Sequence, residues 1–329
     1  MASLNIPLVG QAYQSRSIPL SAQVTRNLYP EPVASGISPS ALLCWPGAKA
    51  FSIGGATNRG IYEKEWLGYV FTVEGTSLKK TDRNGTKTTL GTIAGSGRCV
   101  FAGASFYLYI VTGGLVYRTD GATVEAVTDP DLETPNSVAF LNAQLIYDGD
   151  NGRFCVSDAG DGSSISGLNY ATAESNADDL LRVYTYQESL LLFGTASIEQ
   201  WYNSGVGNPP FDRFQGSLRS VGLGGTYAVT NTDKAVYFLG HDRTIYRLEG
   251  YEPNQVSTVA INNAIEGYSD VSDCFAFAVK LQAQSVVVFS FPAANKTWAY
   301  SETFAMWFEL SSGVNGGRHI ANGHCYAFG

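Results

Sequence analysis

The chain is poor in the residues that carry most polar chemistry. Its 329 residues include only three histidines, His241, His319 and His324, too few and too scattered to build a catalytic centre. His324 and Cys325 are adjacent, and adjacent residues of a strand point to opposite faces, so the pair does not read as a metal site. Five cysteines (Cys44, Cys99, Cys155, Cys274, Cys325) are dispersed without any C-x-x-C pair. An odd, dispersed set predicts free core thiols in a chain made in a reducing compartment, and argues against a disulfide frame or a zinc cluster. No apolar run approaches the roughly 18 residues a membrane-crossing helix needs. The opening MASLNIPLVGQ lacks the basic region and long apolar core of a signal peptide. The expectation is synthesis and folding in the cytoplasm, without membrane contact.

Charge is also scarce. Only 15% of residues are charged and the net charge is −8, which argues against a dedicated nucleic-acid groove. The distribution is uneven: residues 1–50 carry +2, from Arg16, Arg26 and Lys49 against Glu31, which leaves −10 on residues 51–329. A weakly basic leader on an acidic body suits docking onto acidic copies of itself or onto a partner. A solvated arm with incidental arginines fits the same numbers equally well. No segment sustains the helical i, i+3, i+4 pattern; the nearest, residues 171–181, is short and rich in Asn and Asp. Two methionines beside 36 glycines and 19 tyrosines point instead to turns and strands. The fold class is all-β.

What is present is a repeat. An apolar strand, a break, a second apolar strand, a small-residue turn and an aromatic third strand recur seven times, starting near Ile61, Arg98, Ser137, Leu181, Gly225, Cys274 and Gly316. Steps of about 37 to 50 residues mark a radial or stacked β array, and the first expectation is a β-propeller. The second strands, such as 68–73, 106–111, 235–240 and 286–291, are continuously apolar, as strands covered on both faces are. The last copy, GGRHIANGHCYAFG, is unfinished, while Ala48–Ile53 resembles an outer strand with no inner strands before it. Ring closure, with the N-terminal strand completing the blade begun at Gly316, would remove two unpaired sheet ends. About seven blades are expected, with six as the alternative. Residues 1–40 hold five prolines and read as an extended arm; residues 41–329 read as the propeller, its last blade incomplete.

The chemical motifs do not complete themselves. DGDNG (148–152) and SDAGDG (157–162) look like calcium loops but lack the twelve-residue pattern and its bidentate Glu. Glu63, Glu65, Asp148 and Asp158 could serve as the carboxylates of a sugar-cleaving propeller, yet nothing in the sequence brings two of them together. GLGGTY (222–227) has no Lys-Ser/Thr for a phosphate loop. Trp201 and Trp298 recur at the third-strand position, where packing between blades is the expected role. No catalytic residue, metal ligand or cofactor is assigned.

Several stretches resemble a known family. SRSIPLSAQVTRNLYPE (15–31) followed by WPG (45–47), then IAGSGR (93–98), LLFGTASIEQWYNSG (191–205) and GLGGTYAVTNTDKAVYFLG (222–240), are similar to the phage stabilisation proteins. These are the packaged-DNA stabilisation, or tail accessory, proteins of short-tailed phages. The resemblance implies a propeller hub subunit in the virion that joins the tail below the portal and adaptor proteins, in a ring of six copies. It further implies closure of the DNA exit channel, with packaged DNA passing nearby, and attachment of a tailspike or tail fibre. Within that reading, Arg16, Arg26, Asn27 and Tyr29 of the arm are the candidate contacts with a neighbour or the adaptor. The competing readings are a propeller glycosidase or lyase acting on host-surface polysaccharide, and a sugar-binding module without catalysis. Fold alone cannot separate these.

Overall fold

Six four-stranded meanders make up most of the chain, each with its strands hydrogen-bonded in chain order. Here and below the structure is a computed structural model, describing residues 13–14, 22–23, 25–32, 40–64, 67–173, 178–281, 284–312 and 316–328. The six blades run over residues 58–92, 100–127, 138–172, 180–213, 229–255 and 275–309. The chain divides into two compact units. One comprises Ala50–Thr226, Gly250–Glu252 and Asn322–Gly329; the other comprises Met1–Lys49, Tyr227–Glu249 and Pro253–Ala321.

In the unit built on blades 1 to 4, the second strands are the most deeply buried elements. Gln144–Asp148 is buried throughout, and Tyr69–Glu74, Tyr107–Thr112 and Ser189–Gly194 are buried at all but their first residue. Alternate side chains of these strands enter shared interblade cores. Phe71, Val73, Leu108 and Ile110 share one core between blades 1 and 2; Ile146, Phe154, Leu190 and Leu192 share another between blades 3 and 4. Arg59 is a polar tie in the first of these. It is buried, and its guanidinium donates to the carbonyls of Gly97, Gly75, Ile93 and Ala94 and to Thr112 Oγ1. Five acceptors match the five N–H donors of a guanidinium, so the charge is dispersed over peptide dipoles without a carboxylate.

In the other unit, blades 5 and 6 share a core of Tyr237, Leu239, Ile245, Val287, Phe289, Phe291 and Trp307. It also takes Ile261 and Ile265 from the helix Val259–Glu266, capped at its N-terminus by Thr258, whose side chain accepts from the Ile261 amide. Arg243 Nη1 closes the other end on the carbonyls of Ile265, Glu266 and Tyr268. The sequence pattern missed this helix because it spans only eight residues and two of them are Asn. The segment that looked more helical, 171–181, instead spans the end of one strand at Thr172 and the start of another at Leu180, with 174–177 outside the described residues.

The expectation of seven blades is corrected to six. The seventh copy forms only a two-residue strand, Gly317–Arg318, paired with Ser311–Ser312. From its last residue onward the backbone donors are taken by side chains instead of a ladder: Arg318 N donates to Asn295 Oδ1, His319 N to Thr297 Oγ1, and Ile320 N to Ser312 Oγ. A segment whose amides are satisfied in this way has no row of donors left for a neighbouring strand. Ala48–Ile53 is not a strand either; it is mostly exposed and runs as bend and coil. The N-terminal strand expected to complete the last blade is therefore absent at that place.

Candidate functional site: the N-terminal segment on the sixth blade

Among the described N-terminal residues, the stretch that starts at Thr25 engages blade 6. Thr25–Asn27 runs parallel to its outermost strand, Met306–Glu309: Glu309 N donates to Thr25 O and Asn27 N to Glu309 O, both at 2.8 Å. The chain then forms a hairpin, Leu28–Pro32 against Ser40–Cys44. Trp45 N donates back to Asn27 O at 2.8 Å, which closes the hairpin at its base.

Four side chains lock this arrangement. Tyr29 is buried with Val286, Val288, Ala299, Phe308 and Leu310, on the face of blade 6 opposite the one that blade 5 shares. Alternation along Gln284–Phe291 explains the division, with Val286 and Val288 to one side and Val287 and Phe289 to the other. Trp45 completes the cover, edge-on to Tyr29 at 6.3 Å and tilted on Phe308 at 6.0 Å. Asn27 sits at φ 54°, in the left-handed region that Asn tolerates better than most residues. Its side chain brackets one residue: Nδ2 donates to Ser311 O at 3.0 Å and Oδ1 accepts from Ser311 N at 2.8 Å. Arg26 reaches the buried carboxylate of Glu309 through Nε (3.2 Å) and Nη2 (3.0 Å), while Lys296 takes the other oxygen at 2.7 Å. A carboxylate shared by two cations is a compensated buried charge. His319 packs edge-on to Trp45 at 6.5 Å, and burial, then the charge of Arg318, holds it below the ordinary imidazole value.

Of the residues the sequence pointed to, Arg26, Asn27 and Tyr29 are thus brought together, and their side chains are engaged within the chain itself. Arg16 lies outside the described residues. Sequence reasoning missed Glu309, Ser311, Trp45 and Phe308, which lie up to 284 residues away and share no periodic pattern with the arm.

The remaining candidates are used structurally. Asp148 accepts from the amides of Asn136 (3.0 Å) and Ser137 (2.6 Å), and burial pushes its carboxyl up to about 6. Glu63 accepts from Phe328 N and Asp158 from Ser164 Oγ; Glu65 lies outside the described residues. Trp201 packs edge-on to Phe154 of the preceding blade, and Trp298 Nε1 donates to Tyr268 Oη. Cys99, Cys155 and Cys274 are buried thiols, but Cys44 is exposed and Cys325 half-buried, so the core expectation holds for three of the five. Among the described residues no group of three His, Cys, Asp or Glu side chains could hold a metal ion. Among the described residues no helix is long and apolar enough to cross a membrane.

Six meander blades with inner strands buried on both faces define the β-propeller class. The family profile described as "Bacteriophage P22 Gp10, beta-propeller" matches residues 4–329, and the chain belongs to that family of phage structural proteins, the phage stabilisation family. No sequence among curated proteins matches it. Among solved structures, it is similar to a catalytically inactive virginiamycin B lyase from Staphylococcus aureus. That pair is 14% identical with a TM-score of 0.54, over 77% of this chain and 83% of the other. It is also similar to U3-55K (11%, TM-score 0.50, 80% and 84%) and to the Pan2 WD40 domain of Neurospora crassa (8%, TM-score 0.50, 80% and 81%). Neighbours this distant share the fold alone.

Proposed function

We propose that this chain is a tail hub subunit of the virion of a short-tailed phage. It takes its place below the portal and adaptor proteins, in a ring of six copies, helps to close the DNA exit channel and so stabilises the packaged genome, and offers attachment for a tailspike or fibre. The observation that carries this reading is the family match over residues 4–329. The site geometry supports a division of labour within the arm. Thr25–Pro32 is anchored to blade 6 by Arg26, Asn27 and Tyr29. Residues before Thr25, including Arg16, are then the part that meets a neighbouring copy or the adaptor. The acidic body, with −10 on residues 51–329, would let DNA pass without sticking. No enzymatic role is proposed.

The test uses phage particles that lack the endogenous protein and are complemented with this chain. Particles carrying the full chain should show six-fold density below the portal and retain their DNA. A chain lacking residues 1–24 should fold and melt like the full one yet fail to enter tails. Wild-type occupancy by the truncated chain would remove the arm from the mechanism. Density elsewhere in the particle would sink the hub assignment.

A further inference from the structure

The unit formed by blades 1 to 4 contains a cavity of about 280 Å³ that the tail role does not use. First strands build its wall: Asn58–Lys64, Val100–Ala104, Val138–Leu141 and Leu180–Tyr186. Each contributes one aromatic ring, Tyr62, Phe101, Phe140 and Tyr184 in turn. The first three occupy equivalent places in the repeat, at the ends of RGIY (59–62), RCVF (98–101) and SVAF (137–140). Between them lie the small or aliphatic Val100, Ala102, Val138, Ala139 and Val183, all buried.

The aromatic wall is preformed. Tyr62 and Phe101 stack with ring centroids 5.9 Å apart and planes 20° from parallel. Phe101 lies against Gly60, where a Cβ would come within 2.5 Å of its ring, so the absent side chain makes room for the stack. Phe140 keeps 39% of its surface exposed, much more than an interior ring of this size normally does. Among the described residues, the one charged side chain in the lining is Arg182. Its Nη1 donates to Thr226 O at 3.3 Å and its guanidinium lies 5.9 Å from the Tyr184 ring centroid. Among the described residues no carboxylate lines the cavity, and Thr185 and the two tyrosines supply hydroxyls.

Flat apolar faces, a fixed cation and no carboxylate select for a flat anion. An aromatic body gains by stacking on Tyr62 and Phe101, and an acidic headgroup gains a charge-assisted hydrogen bond from a guanidinium with several donors. A cationic ligand would meet Arg182 with like charge. The volume is at the lower end of the roughly 300–1,000 Å³ typical of small-molecule sites, which limits the body to about two fused rings. We propose that this cavity binds a small aromatic carboxylate, sulfonate or phosphate, with its ring against the Tyr62–Phe101 stack and its anionic group on Arg182.

Calorimetric titration of the full chain with naphthalene-2-sulfonate, 2-naphthol and 2-naphthylmethylammonium tests this. The sulfonate should bind saturably with one site per chain, the neutral naphthol at least about ten-fold more weakly, and the ammonium not at all. Arg182→Gln should weaken sulfonate binding by about ten-fold or more while leaving naphthol unchanged. Phe140→Asp, at a position already open to solvent, should abolish sulfonate binding by setting a like charge in the wall. Unchanged melting temperatures of both variants show that the fold survives; if Arg182→Gln melts lower, Phe140→Asp alone decides. Indole-3-acetate and thymidine 5′-monophosphate, titrated in parallel, tell whether a carboxylate or a phosphate headgroup is preferred. Equal binding of the three naphthalenes, sulfonate binding that survives both substitutions, or no binding of any anion at millimolar concentration would each overturn the assignment.

Discussion

Asn27 is the residue on which the docking of the N-terminal segment turns, and replacing it separates two contributions. Asn27→Ala deletes both side-chain bonds to Ser311, at 3.0 and 2.8 Å, leaving that residue's amide and carbonyl without their partner. Each bond contributes about 0.5–1.5 kcal/mol net, so the pair is worth roughly 1–3 kcal/mol. Alanine at φ 54° adds about 1 kcal/mol of backbone strain, which glycine at the same position would not suffer. Asn27→Ala should therefore destabilise docking by about 2–4 kcal/mol and Asn27→Gly by about 1 kcal/mol less. The loss is local, because blade 6 keeps its own four-strand ladder. Native-state hydrogen exchange of the Asn27, Glu309 and Ser311 amides is the proper assay, since all three donate across this contact. They should exchange about 30-fold faster or more in Asn27→Ala, with amides inside Gln284–Phe291 little changed. Unchanged exchange would refute the docking geometry. Equal rates for the alanine and glycine variants would refute the strain argument and leave only the hydrogen bonds.

Three further outcomes follow from the same structure. Arg59→Ala removes a guanidinium that serves four carbonyls and a hydroxyl in a buried place, and should cost about 3–5 kcal/mol, with Arg59→Lys recovering only part because an ammonium has three donors; equal denaturation midpoints for wild type and Arg59→Ala would contradict it. Tyr29→Ala should cost about 3–5 kcal/mol of docking energy and raise protease sensitivity within 25–45, and a cleavage pattern identical to wild type would show that Tyr29 is not the anchor. Asp148 has a folded value of about 6 against an unfolded value near 3.9, so the native state binds the proton more tightly. Its contribution to stability is complete below about 3.9 and is lost as pH rises through about 6, a penalty on the order of 3 kcal/mol at neutral pH. Asn at this position still accepts from the Asn136 and Ser137 amides, so Asp148→Asn should flatten the fall in melting temperature between pH 4 and 7; parallel melting curves for the two proteins across that range would exclude Asp148 as its source.

The blades were legible in the sequence because each carries its own signal. VVVFSF (286–291) reads as a strand covered on both faces, and it is one. What covers it was legible on only one side. Blade 5 is the preceding copy of the repeat, whereas Tyr29, Leu43 and Trp45 come from the far end of the chain and belong to no repeat. Pro30 and Pro32 added to the difficulty, since prolines ordinarily mark the end of a strand. Both sit in one all the same, opposite Leu42 and Ser40 in a two-stranded hairpin. A strand paired on one side only can tolerate residues that lack an N–H, provided those residues are not asked to donate to the partner. The unfinished seventh copy misled in the opposite direction, because apolar residues at the right distance from the sixth were counted as strand. Whether a segment becomes a strand also depends on where its amides go, and those of Arg318, His319 and Ile320 go to Asn295, Thr297 and Ser312. Two of these three acceptors, Asn295 and Thr297, lie in or beside the third strand of blade 6. Blade 6 thus holds both the N-terminal hairpin and the residues that were expected to begin another blade, and the one is held by a tyrosine, an asparagine and an arginine that read as surface contacts when seen as sequence alone.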